Sequence, residues 1–168
     1  MSVTRVDLFY FTPDDDVKSV LDSLPARAVR TLDIEIYGLT DLDLVGNIIQ
    51  AANRGVKVRV MNDRSQAAGP SDKKALAAMK PVPGITIKIV ESIHGAIDHL
   101  KNIVIDGEDG AMAESSYVGY GSYNYSAGAQ KQDNCFELTN DPGKVALVMG
   151  KFERDWMENI QKPEWQVQ

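Results

Sequence analysis

The 168 residues of the chain suffice for one domain with a substantial core and are too few for two ordinary domains, so we expect residues 1–168 to form a single domain. A composition of 43% hydrophobic and 25% charged residues is typical of a globular protein and excludes a disordered chain or a fibrous rod. The net charge of −6 argues against a protein coated in nucleic acid, and no apolar run approaches the roughly 20 residues of a membrane helix.

Cysteine and histidine are scarce. Cys135 is the single cysteine and cannot form an internal disulfide, and together with the two histidines it cannot build a structural zinc site of the usual kind. No clustered Asp/Glu motif indicates a magnesium site, so we expect neither a metal nor a cofactor. Acidic residues interrupt the start of the chain where a signal peptide would have its apolar region, which makes the cytoplasm the expected location.

Positive charge is concentrated in residues 54–88, where 8 Lys+Arg stand against 2 Asp+Glu. This segment either lines a groove for a polyanion or forms a solvated surface that balances the acidic remainder of the chain. The sequence alone favours the solvated surface.

The predicted elements begin with a helix that Asp14 caps and Pro25 ends. The alternating segment 31–37 predicts a strand, residues 40–52 a helix with a capping box, and residues 56–61 a second strand. A strand, a helix and a strand with short connections predict a right-handed βαβ unit with parallel strands.

The second half of the chain is richer in strands. A helix is predicted over 71–79 and strands over 85–90, 99–106, 117–123 and 134–139. Asp141 and Pro142 predict the start of a last helix, whose apolar stripe is Val145, Val148, Phe152, Trp156 and Ile160. The whole order predicts an α/β fold with a mixed, largely parallel β-sheet flanked by helices.

Two short segments carry chemistry. In the strand 99–106, alternation places His99 and Lys101 on one face and Asp106 on the other. The pair alone would fit an edge strand with a surface histidine and lysine.

In the segment Gly121-Ser-Tyr-Asn124, alternation places Ser122 and Asn124 on one face, and Gly121 allows another backbone or a ligand to approach closely. This segment alone also describes many turns.

Together, His-x-Lys-x4-Asp followed by Gly-Ser-x-Asn resembles the HKD signature of the phospholipase D superfamily. The resemblance to the small bacterial endonucleases of that superfamily covers nearly the whole chain. It extends to Phe11-Thr-Pro13, to residues 48–63, to Pro83-Gly-Ile85 and to Phe152-x3-Trp156. It implies a phospholipase D-like fold, in which Asp106 and Gly121 have structural roles.

The resemblance also implies a metal-independent phosphodiesterase. A neutral His99 imidazole attacks phosphorus and forms a phosphohistidine, while Lys101, Ser122 and Asn124 bind and neutralise the phosphate. A second imidazole protonates the leaving oxygen and later activates water. Because this chain has one HKD motif, the implied assembly is a homodimer whose two copies of His99 share one site. His94 lacks the His-x-Lys context and is interpreted as a loop histidine.

Members of the superfamily usually carry a glutamate on the next strand that holds a histidine nitrogen. An ungapped count from Asn124 places Cys135 at this position, whereas Phe136-Glu137-Leu138 resembles the sequence around the glutamate. We assign the role to Glu137, which shares a strand face with Cys135; otherwise Cys135 holds the position or is a buried structural thiol.

The acidic segment 107–118 is longer than in the small endonucleases. It opposes DNA binding if it lies over the site and has no such effect if it is a hairpin tip pointing away.

Three functions remain open. The first is a nuclease, with DNA favoured over RNA as substrate. The second is a phospholipase or phosphatidyl transferase with the same catalytic residues, although no amphipathic basic helix or hydrophobic loop indicates membrane docking. The third is a non-catalytic nucleic-acid-binding module that keeps the fold, which the intact set of His99, Lys101, Ser122 and Asn124 opposes.

Overall fold

The computed structural model describes residues 4–108 and 116–158. Its strands are β1 (Asp7–Thr12), β2 (Thr31–Ile36), β3 (Lys57–Asp63), β4 (Ile85–Val90), β5 (Lys101–Ile105), β6 (Tyr117–Gly121) and β7 (Asn134–Thr139). Its α-helices are α1 (Val17–Ser23), α2 (Leu42–Asn53), α3 (Arg64–Ala67), α4 (Pro70–Met79) and α5 (Pro142–Glu158), with 3-10 turns at Leu24–Arg27 and Ala127–Lys131. None of the helices in these residues is long and apolar enough to cross a membrane.

The seven strands form one sheet in the order β1-β7-β6-β5-β2-β3-β4. Strands β2, β3 and β4 are parallel, as the βαβ pattern predicts. The other four pairings are antiparallel, because β5 turns back beside β2 and each later partner again reverses direction. The mixed α/β sheet flanked by helices is therefore confirmed, and the prediction that it is largely parallel is wrong.

Strand β1 is not predicted from the sequence. Its apolar run Leu8-Phe-Tyr-Phe11 lacks the alternation of a half-buried strand. It forms because β7, far along the chain, offers it an antiparallel partner, with Asp7 opposite Thr139. As the edge strand it leaves Phe9 and Phe11 more than half exposed.

Helices cover both faces of the sheet. The larger core lies on the face packed against α1, α2 and α4. On the other face, Val145, Met149 and Phe152 of α5 pack against Met61, Val104 and Val118. The predicted stripe of the last helix is thus present, although Ile160 lies outside the described residues. Every residue of β2 is buried, since both of its faces are covered.

Carboxylates begin the helices close to where the sequence predicts. Asp16, rather than Asp14, caps α1 through the backbone N–H of Ser19, and Asp41, rather than Thr40, caps α2. Asp141 accepts the backbone N–H of Lys144 at 2.9 Å at the start of α5, as predicted.

Candidate active site

Four of the predicted site residues lie at one edge of the sheet. β2, β3 and β4 end there, and the antiparallel order requires β5 to begin, β6 to end, β7 to begin and β1 to end at that same edge. We call it the site edge. His99 and Lys101 stand at the start of β5, and Ser122 and Asn124 follow the end of β6. The topology therefore brings these four residues together from two separate segments.

The ring of Tyr37 contacts both members of the His-x-Lys pair. The His99 ring meets it edge-on at a centroid distance of 4.5 Å, and the Lys101 ammonium lies 5.0 Å from its centroid. Gln66 donates to the Tyr37 hydroxyl at 2.9 Å, and the Tyr37 backbone N–H donates to the carbonyl of Leu100 at 2.9 Å. The sequence patterns assign Tyr37 no role; its position as the last residue of the predicted strand 31–37 was the available signal.

Lys101 is the first residue of β5 and is only 3% exposed. Burial lowers its pKa to about 8, and the carboxylates of Asp98 and Asp63 oppose that change. Its ammonium donates to the carbonyl of His99 at 2.7 Å. His99 itself precedes the strand, so the prediction that the strand begins at His99 is wrong by two residues. A buried ammonium beside an exposed imidazole is suited to bind an anion.

Buried tyrosines position the second segment. Tyr123 and Tyr125 are almost fully buried, and they alternate with the more exposed Ser122 and Asn124. The Tyr125 N–H donates to the carbonyl of Gly38 at 3.1 Å, which places Asn124 beside the turn after β2. In the described part of the chain, the side-chain oxygen of Asn124 is buried and has no hydrogen-bond partner.

Ser122 is held by the start of β7. Its hydroxyl donates to Asn134 at 3.1 Å and accepts the backbone N–H of Cys135 at 3.1 Å. Gly121 makes this approach possible, because a Cβ at that position would lie 2.2 Å from the carbonyl oxygen of Cys135.

Asp106 lies at the opposite edge of the sheet. Its buried carboxylate accepts the backbone N–H groups of Val29, Arg30 and Thr31, the last two at 2.7 and 2.9 Å. These bonds join the end of β5 to the start of β2, far from His99.

Glu137 lies two residues further along β7 from the site edge than Cys135. Its carboxylate accepts the Tyr120 hydroxyl at 2.6 Å and pairs with the ammonium of Lys144. Within the described residues of one chain, its contacts include no histidine. Cys135 is a free, partly buried thiol at the site edge itself. The histidine-orienting role of Glu137 stays a prediction.

Buried carboxylates support the segment that carries His99. Asp63, at the end of β3, accepts the backbone N–H of Asp98 at 2.7 Å and so fixes the residue before His99. Asp98 and Glu35 are themselves buried side by side, and burial followed by their mutual repulsion raises the pKa of Glu35. Burial also raises the pKa of Asp98. None of these three acids was predicted to act near the site.

Two arginines of the basic segment 54–88 are held by contacts within the chain. Arg59 pairs with Asp33 and Glu153, both at 2.7 Å, and Arg54 donates to a backbone carbonyl at 2.8 Å.

The acidic segment 107–118 starts from the end of β5 and returns at the start of β6, both at the edge opposite the site. Its described residues therefore lie away from His99, and residues 109–115 are outside the described part of the chain.

The one carboxylate group in the described residues with the geometry to hold a cation is Asp22, Asp41 and Asp43. The Lys18 ammonium contacts all three carboxylates at 2.6 to 3.1 Å. The Lys18 ammonium thus offsets one of the three negative charges of the cluster.

Comparison with known proteins agrees with this architecture. Nuc, a phospholipase D family member from Salmonella typhimurium, superposes with a TM-score of 0.76 at 20% identity, over 95% of this chain and 99% of that one. NucT from Helicobacter pylori superposes with a TM-score of 0.79 at 19% identity, over 95% of this chain and 100% of that one.

In sequence, the chain is 28% identical over 132 residues to a mitochondrial cardiolipin hydrolase from Chlamydomonas reinhardtii, a match over 77% of this chain and 52% of the relative. The chain spans between 27% and 55% of the length of the curated relatives that it matches. The family model described as "Cardiolipin synthase, PLD-like domain" matches residues 9–156. The chain therefore belongs to this family of PLD-like domains, within the phospholipase D superfamily.

Proposed function

We propose that the protein is a metal-independent phosphodiesterase that cleaves nucleic acid through a phosphohistidine at His99, in a site shared by two copies of the chain. The observation that carries this proposal is the group at the site edge. The imidazole of His99 and the ammonium of Lys101 lie on one tyrosine ring, beside the segment that presents Asn124.

Each group has a step in the reaction. The Lys101 ammonium and the Asn124 amide neutralise and hold the non-bridging oxygens of the phosphodiester. A nitrogen of neutral His99 attacks phosphorus, so that a P–N bond forms as the P–O bond to the leaving group breaks. A second, protonated imidazole gives its proton to the leaving oxygen. That imidazole then takes a proton from water, whose oxygen attacks phosphorus and releases His99.

The need for two imidazoles supports the homodimer. The sequence holds two histidines, and only His99 lies in a His-x-Lys pair. A two-fold axis at the site edge would bring the same residue from a second copy opposite the first. One shared site would then serve two chains.

Nucleic acid is the substrate that we favour. The support for it is the superposition of 95% of this chain on Nuc and on NucT. A lipid phosphodiester is the second candidate. Besides the relatives named cardiolipin hydrolase or phospholipase D, the exposed side chains of Ile93 and Ile97 near His99 favour it, at 55% and 51% exposure.

Cleavage assays in excess EDTA test the chemistry. The substrates are single- and double-stranded DNA, RNA, bis(p-nitrophenyl) phosphate and vesicles that contain cardiolipin, with His99→Ala purified in parallel. We expect the wild-type protein to cleave a nucleic acid and His99→Ala to cleave none. Substantial activity of His99→Ala, or a requirement for magnesium, would contradict the mechanism. Cleavage of cardiolipin and of no nucleic acid would identify a lipid phosphodiester as the substrate instead.

Mixing experiments test the shared site. Wild-type protein is unfolded and refolded with increasing proportions of His99→Ala at constant total concentration. In a shared site both chains must carry His99, so activity should fall as the square of the wild-type fraction. Arg27→Gln, altered at the far edge, is the control and should not reduce activity. A linear fall with His99→Ala would indicate that each chain carries its own complete site.

A further inference from the structure

A cavity of about 330 Å³ adjoins the proposed catalytic site, and it contains both histidines of the sequence. The segment between β4 and β5 forms one wall, with Ile93, His94 and His99, and α5 forms the other, with Lys151 and Arg154. A ligand in this cavity would lie directly beside the imidazole that we propose as nucleophile.

The charges of the cavity are arranged with acids inside and cations outside. Asp98 and Asp155 are 6% and 4% exposed, whereas His94 and Arg154 are exposed. Asp155 is neutralised by the ammonium of Lys151, and Asp98 accepts the N–H of Leu100 at 3.3 Å. A ligand that enters from solvent therefore meets the imidazole and the guanidinium first.

Arg154 is the arginine without an intramolecular partner among the described residues. Each of the other six contacts a carboxylate, a carbonyl, an aromatic ring or another group within the chain: Arg5, Arg27, Arg30, Arg54, Arg59 and Arg64. A guanidinium binds phosphate oxygens through paired N–H groups, so an uncommitted one in a cavity is suited to an anion.

The cavity continues along α5. A second cavity of about 610 Å³ shares Leu100, Lys151 and Arg154 with the first and extends past Tyr120 and Leu147. The two form one groove that runs from His99 along the helix, and Arg154 stands where they join. A groove of this kind fits a linear polymer better than an isolated headgroup.

We propose that Arg154, with His94, binds the phosphate next to the scissile one in a polynucleotide. This inference rests on the proposed function, because it takes His99 as the position of the scissile phosphate. It assigns the protein a preference for substrates with at least two consecutive phosphodiesters. Such a subsite gives affinity for nucleic acid without requiring a broad basic surface.

The first test compares thymidine dinucleotide, with one phosphodiester, and the trinucleotide, with two. In the wild-type protein the second phosphate should raise kcat/KM about tenfold beyond the statistical factor for two bonds. Arg154→Gln should lose most of this gain, Arg154→Lys should keep part of it, and the matched control Arg27→Gln should keep all of it. An equal gain in Arg154→Gln and in the wild-type protein would overturn the inference.

The second test measures binding without turnover. In the His99→Ala background, the Kd of a fluorescein-labelled thymidine 12-mer is determined by anisotropy between 50 and 300 mM salt. Arg154→Gln should lower the slope of log Kd against log salt by about 1, the value expected for the loss of one phosphate contact. Arg27→Gln should leave the slope unchanged. This measurement decides the inference even if the wild-type protein cleaves nothing, which would overturn only the proposed function.

Two further outcomes would refute the assignment. If Arg154→Gln weakens binding to cardiolipin vesicles but leaves the oligonucleotide slope unchanged, the groove serves lipids. If light scattering shows that the substitution changes the oligomeric state, Arg154 belongs to a contact between chains.

His94→Gln should reduce the gain from the second phosphate; complete loss of cleavage of the dinucleotide would instead identify His94 as part of the catalytic machinery.

Discussion

Replacing Glu35 by glutamine should change how stability depends on pH. Glu35 is fully buried in β2, and neither of its carboxylate oxygens has a hydrogen-bond partner in the described residues. The groups that influence it are Asp98, Asn102 and, from α5, Lys151. Burial and the repulsion of Asp98 raise its pKa above the ordinary value of 4.5, so the folded protein keeps a proton on this carboxyl that the unfolded chain loses.

The sign of the effect follows from this bound proton. The bound proton on Glu35 stabilises the folded state. This stabilisation is fully present below pH 4.5 and is lost as the pH rises through the raised pKa of Glu35 in the folded state. One proton corresponds to about 1.4 kcal/mol per pH unit, or about 2.7 kcal/mol over two units. Glutamine cannot lose a proton, and its amide can donate to the partnerless oxygen of Asp98. Glu35→Gln should therefore become more stable relative to the wild-type protein as the pH rises.

Urea unfolding at pH 5, 6 and 7 measures this difference, below the range in which Lys101 titrates. We expect the free energy of unfolding of Glu35→Gln minus that of the wild-type protein to increase by about 1.4 kcal/mol per pH unit. Asp14→Asn, at an exposed position, is the control and should show a difference that does not vary with pH. A difference for Glu35→Gln that is the same at all three pH values would refute the assignment of the buried proton.

Four further predictions concern the site and its frame. Because the pKa of Lys101 is about 8, kcat/KM should fall above pH 8, and Lys101→Arg should remove this alkaline limb while lowering the rate; a limb that persists would assign it to another group. Tyr37→Ala should lower kcat about a hundredfold by releasing the His-x-Lys pair, whereas Tyr37→Phe, which keeps the ring, should restore most of it; equal rates for the two would show that the ring does not position the pair. Asp106→Ala should reduce the free energy of unfolding in urea by about 3 kcal/mol because three backbone donors lose their acceptor, and a loss below 1 kcal/mol would contradict that account. Glu137→Gln should lower the free energy of unfolding because Lys144 loses its charged partner on β7 and keeps Asp7, at 3.3 Å; a hundredfold loss of kcat at unchanged stability would instead support the role of Glu137 in orienting a histidine.

Local patterns predicted much of the fold. The βαβ unit from β2 to β3 and the stripe of α5 follow from periodicity, which depends on each segment alone. Strand β1 could not be found in this way, since its apolar run has no period and forms a strand only against β7. The balance of parallel and antiparallel pairs was likewise missed, because pairing between distant strands leaves no local trace.

In the site, too, local patterns predicted some residues and missed those that depend on contacts with distant elements. His99, Lys101, Ser122 and Asn124 were found through a motif, and the topology brings their segments to one edge. The buried acids were not found. Glu35 stands at a polar position of an alternating strand, a pattern that ordinarily indicates a solvated side chain. Asp98 and, from α5, Lys151 lie near it on that face, and no pattern within β2 encodes these contacts.

The placement of Asp106 also has a practical consequence. The chain leaves β5 and re-enters β6 at the rim of the sheet farthest from His99, and bonds to residues 29–31 anchor that rim. Glu108, the last described residue before this connection, stands on that far side of the sheet. A surface linker placed there would attach the protein to a support with the site edge facing the solution. This orientation suits single-molecule observation of a captured substrate.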